Sequence, residues 1–374
     1  MCQNDDAAEG IWMLDNNAAR VLIMAGGTGG HVFPALAVAN YLREAGAAIA
    51  WLGTRKGIEA DLVPAQQIIL HFMDVEGIRG RGLTAVIRAP LLLWRSIVQA
   101  LTVIDEFKPR VVLGMGGFAS GPGAIAARIK GIPIVVHEQN AIAGTTNRIV
   151  SRFASQVMKG FTDSLPGGIW CGNPVRREII DLPRPEQRLV NRSGRVKLLV
   201  LGGSRGAKAI NELVPQALAL LLPQARPQVF HQAGNRHADL TNSVYATLDI
   251  EANVVPFIDN MAQAYSEADI VICRAGALTV AELTSVGLGA IFIPYPHAID
   301  DHQTANAKWL VDRGGALLYQ QSDLTPEFLS LLLSDLSNDP QRRMNMAIAA
   351  HAVAKDRAAE MVAETCMEYF HAAT

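Results

Sequence analysis

The chain has 374 residues, half of them hydrophobic, and 33 basic against 35 acidic side chains leave a net charge of -2. Two domains with packed cores are the natural expectation at this length. The near-neutral balance excludes a general polyanion binder, so no nucleic-acid partner is expected. Cys2, Cys171, Cys273 and Cys366 lie far apart with no Cys-x-x-Cys pair, which argues against a metal site or a disulfide framework.

Residues 1–19 hold Asp5, Asp6, Glu9 and Asp15 and no basic residue. They lack the basic start and apolar centre of a secretory signal and read as a poorly ordered extension. Arg20–Ala25 is a short apolar run ending in glycines, the pattern of a buried parallel strand. Pro34 suits the first turn of the helix that follows. Further strands are expected at 48–53 and 68–75, then a long helix over 84–107 with a break near Pro90. A strand at 110–113, a helix through Ile129 and a strand at 133–137 complete the first half. Residues 166–193, rich in Pro, Gly and Arg, read as a linker region.

The pattern then restarts. Val196–Leu201 leads into a helix ending near Leu222, and strands follow at 228–232, 253–257, 269–273 and 290–294 with helices between. Alternating strand and helix predicts α/β domains with open parallel sheets covered on both faces. No apolar stretch reaches membrane-spanning length.

Three glycine-rich turns each join such a strand to a helix: Gly26-Gly27-Thr28-Gly29-Gly30-His31, Gly114-Met115-Gly116-Gly117 and Gly202-Gly203-Ser204-Arg205-Gly206. Turns of this kind let backbone approach a phosphate and aim helix N-terminal N–H groups at it, although they also serve helix–strand packing. The first turn does not keep the G-x-G-x-x-G spacing of a dinucleotide fingerprint. The second strand ends in Leu52-Gly53-Thr54-Arg55, without the acidic ribose ligand that fingerprint needs. A better ribose ligand is Glu282, in Arg274-Ala275-Gly276-Ala277-Leu278-Thr279-Val280-Ala281-Glu282. Its carboxylate can accept from both ribose hydroxyls, or it can simply be an acidic residue favoured in the N-terminal half of a helix.

With His137-Glu138-Gln139-Asn140 and Gly172-Asn173-Pro174-Val175-Arg176, these motifs occur in an order that closely resembles the MurG family from about Arg20 to the C-terminus. Its members are UDP-N-acetylglucosamine:lipid I N-acetylglucosaminyltransferases of bacterial peptidoglycan synthesis. The resemblance implies a GT-B fold, two Rossmann-like domains with parallel sheets facing a deep cleft. An acceptor domain would span 20–174, joined by a C-terminal helix at about 356–374, and a UDP-GlcNAc domain 175–355. It implies inverting transfer of GlcNAc to the 4-hydroxyl of the muramyl sugar on undecaprenyl pyrophosphate, with no cofactor and no metal. It also implies a peripheral place on the cytoplasmic face of the inner membrane, with cell-wall synthesis proteins as partners.

By the same resemblance, Ser204 and Arg176 face the diphosphate and Ile258 meets uracil through its backbone. Ala277, Leu278, Thr279, Val280 and Ala281 line the nucleotide up to Glu282 on the ribose, and Gln303 binds the GlcNAc hydroxyls. Arg176 competes with a plain surface arginine, but its bidentate geometry suits phosphate. Thr28, Gly29, Gly30 and Asn140 are implied in donor or acceptor contacts. His31 is the candidate general base, since a helix N-terminus favours a neutral imidazole; the alternative is a histidine that only orders the turn. Glu138 is the rival base or an orienting carboxylate. The rival functions are a UDP-GlcNAc 2-epimerase and a non-catalytic UDP-sugar sensor.

Residues 76–95 interleave Arg79, Arg81, Arg88 and Arg95 with Ile78, Leu83, Val86, Ile87, Leu91, Leu92, Leu93 and Trp94. Such a segment suits shallow insertion into an anionic membrane surface or an ordinary core-facing helix with a basic edge. A lipid-linked acceptor favours the first.

Overall fold

The computed structural model describes residues 19–75, 82–190, 192–203 and 206–370, with backbone alone over 82–88. The chain divides into two compact units. One comprises residues up to Gln139, Ala143–Pro174 and the segment from Arg357; the other comprises Asn140–Ile142 and Val175–Asp356.

In the first unit the strands are β1 (Arg20–Met24), β2 (Ala48–Gly53), β3 (Ile69–Phe72), β4 (Val111–Gly114), β5 (Ile134–Glu138), β6 (Gln156–Lys159) and β7 (Ile169–Trp170). They form one sheet in the order β3-β2-β1-β4-β5-β6-β7, and every pairing is parallel. Alternate residues of β1 feed two cores. Val21 and Ile23 pack with helices Gly29–Glu44 and Ala358–Met367. Leu22 and Met24 pack with helices Gly82–Phe107 and Ser120–Ile129. All four side chains are fully buried, each worth about 1.5–3 kcal/mol against exposure. A strand covered on both faces is apolar at every position, which is why this run shows no polar alternation.

Two expectations change in detail. The helix Gly82–Phe107 runs unbroken through Pro90, because a proline removes one intrahelical hydrogen bond without necessarily ending the helix. Pro34 lies in the second turn of Gly29–Glu44, not the first, since Thr28 is the N-cap.

The second unit has β8 (Lys197–Leu201), β9 (Gln228–Gln232), β10 (Ala252–Val255), β11 (Ile270–Cys273), β12 (Ala290–Phe292) and β13 (Ala316–Leu318). Their order is β10-β9-β8-β11-β12-β13, again all parallel. Leu198, Val200, Ile270, Ile272 and Ile291 form a core with helices Lys208–Ala219 and Pro326–Asn338.

Both sheets reverse direction of growth beside their first strand: β1 lies between β2 and β4, and β8 between β9 and β11. At such a reversal the connections leave to opposite sides and open a crevice at the carboxyl ends of the strands. In register, Met24 stands opposite Gly114, and Leu201 opposite Cys273. The paired strands thus end level, and the turns that follow them gather at one place in each unit.

Candidate active site

In the first unit the turns after β1 and β4 touch. Gly117 has φ +83°, and a Cβ there would come within 2.3 Å of the Gly26 carbonyl oxygen. Glycine is required on both counts. The buried Trp51 indole donates to the Ala25 carbonyl at 2.8 Å, and Ser120 Oγ lies 2.8 Å from the carbonyls of both Met24 and Gly116. Glu59, fully buried, sits behind the first turn. Its Oε2 accepts the Gly27 N–H at 2.9 Å, and its Oε1 accepts the Thr54 N–H at 2.9 Å and the Thr54 hydroxyl at 2.7 Å. The Gly27 N–H is therefore held by a protein carboxylate. What this turn offers a ligand is the start of Gly29–Glu44. There Thr28 makes no side-chain cap, and the N–H groups of Gly29 and Gly30 have no acceptor within the helix.

His31 lies in that first helical turn, half-buried, and its ring would meet a Cβ on Gly116 at 2.8 Å. Its Nδ1 is 3.0 Å from Gln139 Oε1. Gln139 Nε2 is 3.2 Å from His137 Nδ1, and His137 Nε2 is 2.9 Å from the Gly172 carbonyl. Burial lowers the His137 pKa to about 4, against a smaller raising effect of the Gly172 hydrogen bond. Glu138 is buried too. Its Oε2 accepts the Gly144 N–H at 3.1 Å and Asn147 Nδ2 at 2.9 Å, so it braces the loop that follows β5.

In the second unit the turns after β8 and β11 mark the corresponding place. Gly206 has φ +76°, and a Cβ there would lie 2.4 Å from the Ala233 carbonyl oxygen. Ser204 lies outside the described residues, as do Arg79, Arg81 and residues 1–18. The helix Ala277–Val286 starts after Gly276, which supplies no side-chain cap. Leu278 and Thr279, half-buried in its first turn, have N–H groups without intrahelical acceptors; Ala277 and Val280 are buried and Ala281 is half-buried.

Glu282, one turn further, is buried. Its Oε1 is 3.2 Å from Arg176 Nη2 and its Oε2 accepts the Tyr265 hydroxyl at 2.9 Å. Burial pushes the Glu282 carboxyl up from the usual range, while Arg176 and Tyr265 pull it down. Burial, and next the Glu282 charge, push the Tyr265 phenol well up, so Tyr265 keeps its proton and donates. The two residues read separately in the sequence as diphosphate and ribose ligands are thus an ion pair with each other.

Asn140 groups with this second unit, where its Oδ1 accepts Asn306 Nδ2 at 3.3 Å. Asn306 also donates to the Ala275 carbonyl at 3.1 Å and accepts the Ala141 N–H at 2.8 Å. Gln303 Oε1 accepts the Tyr295 N–H at 2.9 Å. Ile258, 5% exposed, borders a cavity of about 470 Å³ along β8, β9 and the helix Met261–Glu267. Lys197 and Gln228, at the amino ends of their strands, also line that cavity, and the glycine turns do not. The carboxyl-end crevice, with its helix start and ion pair, is the better nucleotide candidate.

Sequence reasoning passed over Glu59, Gln139, Tyr265 and Asn306. Gln139 carried a signal, lying inside the motif His137–Asn140. Tyr265 and Glu59 carried none, for each meets its partner only through the fold. No group of three or more His, Cys, Asp or Glu side chains fit to hold a metal occurs among the described residues.

Residues 21–159 match the glycosyltransferase family 28 N-terminal domain and residues 197–362 the glycosyltransferase family 28 C-terminal domain. A relative from Cupriavidus necator is 49% identical over 348 residues, 93% of this chain and 97% of its own. Another, from Nitrosococcus oceani, is 50% identical over 354 residues, 94% of this chain and 99% of its own. Both are named UDP-N-acetylglucosamine--N-acetylmuramyl-(pentapeptide) pyrophosphoryl-undecaprenol N-acetylglucosamine transferase. Among solved structures, Acinetobacter baumannii MurG is 41% identical with a TM-score of 0.81, covering 94% of this chain and 99% of that one. A structure titled as a UDP-N-acetylglucosamine 2-epimerase from Listeria monocytogenes shares the fold at TM-score 0.65 and 12% identity, covering 96% of this chain and 98% of that one.

Proposed function

Because this chain belongs to the MurG family of GT-B glycosyltransferases, we propose that it moves GlcNAc from UDP-GlcNAc to the 4-hydroxyl of the muramyl sugar in undecaprenyl-pyrophosphoryl lipid I. The product is lipid II, for peptidoglycan. The observation that carries this reading is near-half identity, over more than nine-tenths of the chain, to relatives named for that transfer. An epimerase shares the fold alone.

The second unit holds the donor. The N–H groups of Leu278 and Thr279, with Arg176 and the turn containing Ser204, receive the diphosphate. Glu282, steadied by Tyr265, takes the ribose hydroxyls; Ile258 meets uracil and Gln303 the GlcNAc hydroxyls. As the bond from C1 to the diphosphate oxygen breaks, negative charge grows on UDP. The helix start at Ala277, and Arg176 on turning from Glu282 to the diphosphate, stabilise it.

The first unit holds the acceptor. The 4-hydroxyl gives its proton to His31 Nε2 as its oxygen attacks C1 from the opposite face, so the anomeric centre inverts. Thr28, Gly29 and Gly30 present the helix start to the acceptor. Two facts favour His31 over Glu138 as the base. His31 Nε2 has no hydrogen-bond partner among the described residues, whereas Glu138 is 1% exposed and braces Gly144 and Asn147.

The acceptor's polyprenyl tail calls for a membrane surface. No described helix is long and apolar enough to cross a bilayer. On Gly82–Phe107, however, Leu91, Leu93, Trp94 and Val98 are 59%, 43%, 64% and 41% exposed, beside exposed Arg95. An apolar patch with a basic neighbour suits shallow docking on anionic lipid.

Incubation of labelled UDP-GlcNAc with a lipid I analogue tests the reading. Label should pass to the lipid. Release of UDP with a ManNAc product, independent of lipid, would indicate the epimerase, and no turnover at all a sensor. His31→Ala should lower kcat by about 10²-fold or more while UDP affinity stays within twofold; near-normal turnover would remove His31 as the base.

A further inference from the structure

We propose that Gln139 is a positioning residue that dictates which ring nitrogen of His31 carries the proton. The inference rests on the reading of His31 as general base and says how that base is made ready.

Two backbone carbonyls anchor the chain of hydrogen bonds, and a carbonyl can only accept. His137 Nε2 stands 2.9 Å from the Gly172 carbonyl, so Nε2 bears hydrogen. His137 is fully buried and its pKa falls to about 4; the ring is neutral near pH 7, and Nδ1 keeps a bare lone pair. Only a donor fits 3.2 Å from that lone pair, and the neighbour is Gln139 Nε2. The same nitrogen lies 3.3 Å from the His137 carbonyl, a second obligate acceptor that orients the amide the same way round. The Gln139 amide oxygen must then be the atom 3.0 Å from His31 Nδ1, and it requires an N–H there. Neutral His31 is therefore the Nδ1–H tautomer, with its lone pair at Nε2.

In water a histidine side chain prefers the opposite tautomer, with hydrogen on Nε2. Left to itself, His31 would mostly present an N–H where the acceptor hydroxyl needs a lone pair. Gln139 reverses that preference. Its backbone is itself fixed, since Asn173 Nδ2 donates to the Gln139 carbonyl at 3.0 Å. A carboxylate in this place would both orient the ring and stabilise its protonated form; the amide supplies orientation.

Long-range proton–nitrogen NMR on the intact chain, with ¹⁵N-labelled imidazoles at pH 8, reads the tautomer directly. The His31 signals are identified by their loss in His31→Gln. The unmutated chain should show His31 with hydrogen on Nδ1. Gln139→Met, similar in length but unable to accept, should shift His31 toward Nε2–H. It should lower kcat roughly 10²-fold while KM for UDP-GlcNAc stays within twofold. Hydrogen on Nε2 in the unmutated chain would overturn the inference without any variant. So would Gln139→Met with tautomer and kcat unchanged. The two readings fail separately. Normal turnover in His31→Ala would sink the base and leave the tautomer result intact. Lost turnover in His31→Ala, with Nε2–H in the unmutated chain, would keep His31 as an essential residue and sink the role of Gln139.

Discussion

Glu59→Gln changes one oxygen of the buried carboxylate behind the first glycine turn into an NH₂ group, at nearly constant volume. Three donors converge on that carboxylate: the N–H groups of Gly27 and Thr54 and the Thr54 hydroxyl. Whichever way the new amide sits, its nitrogen faces a donor. If it turns to Gly27, that N–H loses its acceptor, and an unsatisfied buried donor costs about 1–3 kcal/mol. The Thr54 pair keeps an acceptor but one with less charge, at about 1 kcal/mol more. Relief by movement is limited. Cβ positions built on Gly26, Gly53 and Gly57 all fall within 3.0 Å of the Glu59 side chain, so the carboxylate fills a slot shaped by three glycines. A loss of about 3 kcal/mol is expected in the first unit, or roughly 6–12 °C in its melting temperature for a domain of this size. Calorimetry on the full chain measures it, and the acceptor KM should rise because the turn is no longer held. A shift under about 2 °C with unchanged acceptor KM would refute the view that this carboxylate organises the turn.

Three further outcomes are expected. Glu282→Ala removes an acceptor from both Tyr265 and Arg176 and should raise the UDP-GlcNAc KM about 10–100-fold, measured in the transfer assay; a change under twofold would exclude it from the donor site. His137 and His231 have pKa values lowered by burial to about 4 and about 3, below the usual histidine value of 6.5. The unfolded chain therefore binds more protons as pH falls below 6.5. The stability they contribute is complete above that pH and declines by about 1.4 kcal/mol per pH unit per histidine toward the folded values. Urea unfolding followed from pH 7.5 to 5 should show this loss, and a flat profile would contradict it. Leu91→Glu with Trp94→Glu should weaken flotation with anionic vesicles at least tenfold, roughly 1.4 kcal/mol, and leave UDP binding unchanged; undiminished flotation would remove the patch from the membrane-docking proposal.

The sheets were legible because their central strands β1, β2, β4 and β8 are largely apolar runs that end at or beside glycine, and that pattern needs no knowledge of the partner strand. β6 (Gln156–Lys159), β7 (Ile169–Trp170) and β13 (Ala316–Leu318) went unseen because two to four residues carry too little period. At the sites, residues lodged in glycine turns or at helix starts could be picked out, since backbone geometry dictates their type: Gly117 against Gly26, and His31 and Leu278 in first turns. Residues that act through another side chain could not. Tyr265 donates to Glu282 across 17 positions, and Gln139 reaches His31 across 108. Neither spacing has a local signature. The Arg176–Glu282 pair shows the same limit: each residue is marked for a ligand, and only the fold reveals that they pair with each other.

The proposed transfer divides the labour between two sheet reversals, with nucleotide at the carboxyl ends of β8 and β11 and acceptor at those of β1 and β4. Hydrogen exchange with and without saturating UDP reads out that division. Slowed exchange at Gly202–Gly203 and Ala277–Glu282, with Gly26–His31 unchanged, is the predicted footprint. Protection centred on Gly26–His31, with the helix start at Ala277 left as fast as in the free protein, would contradict it.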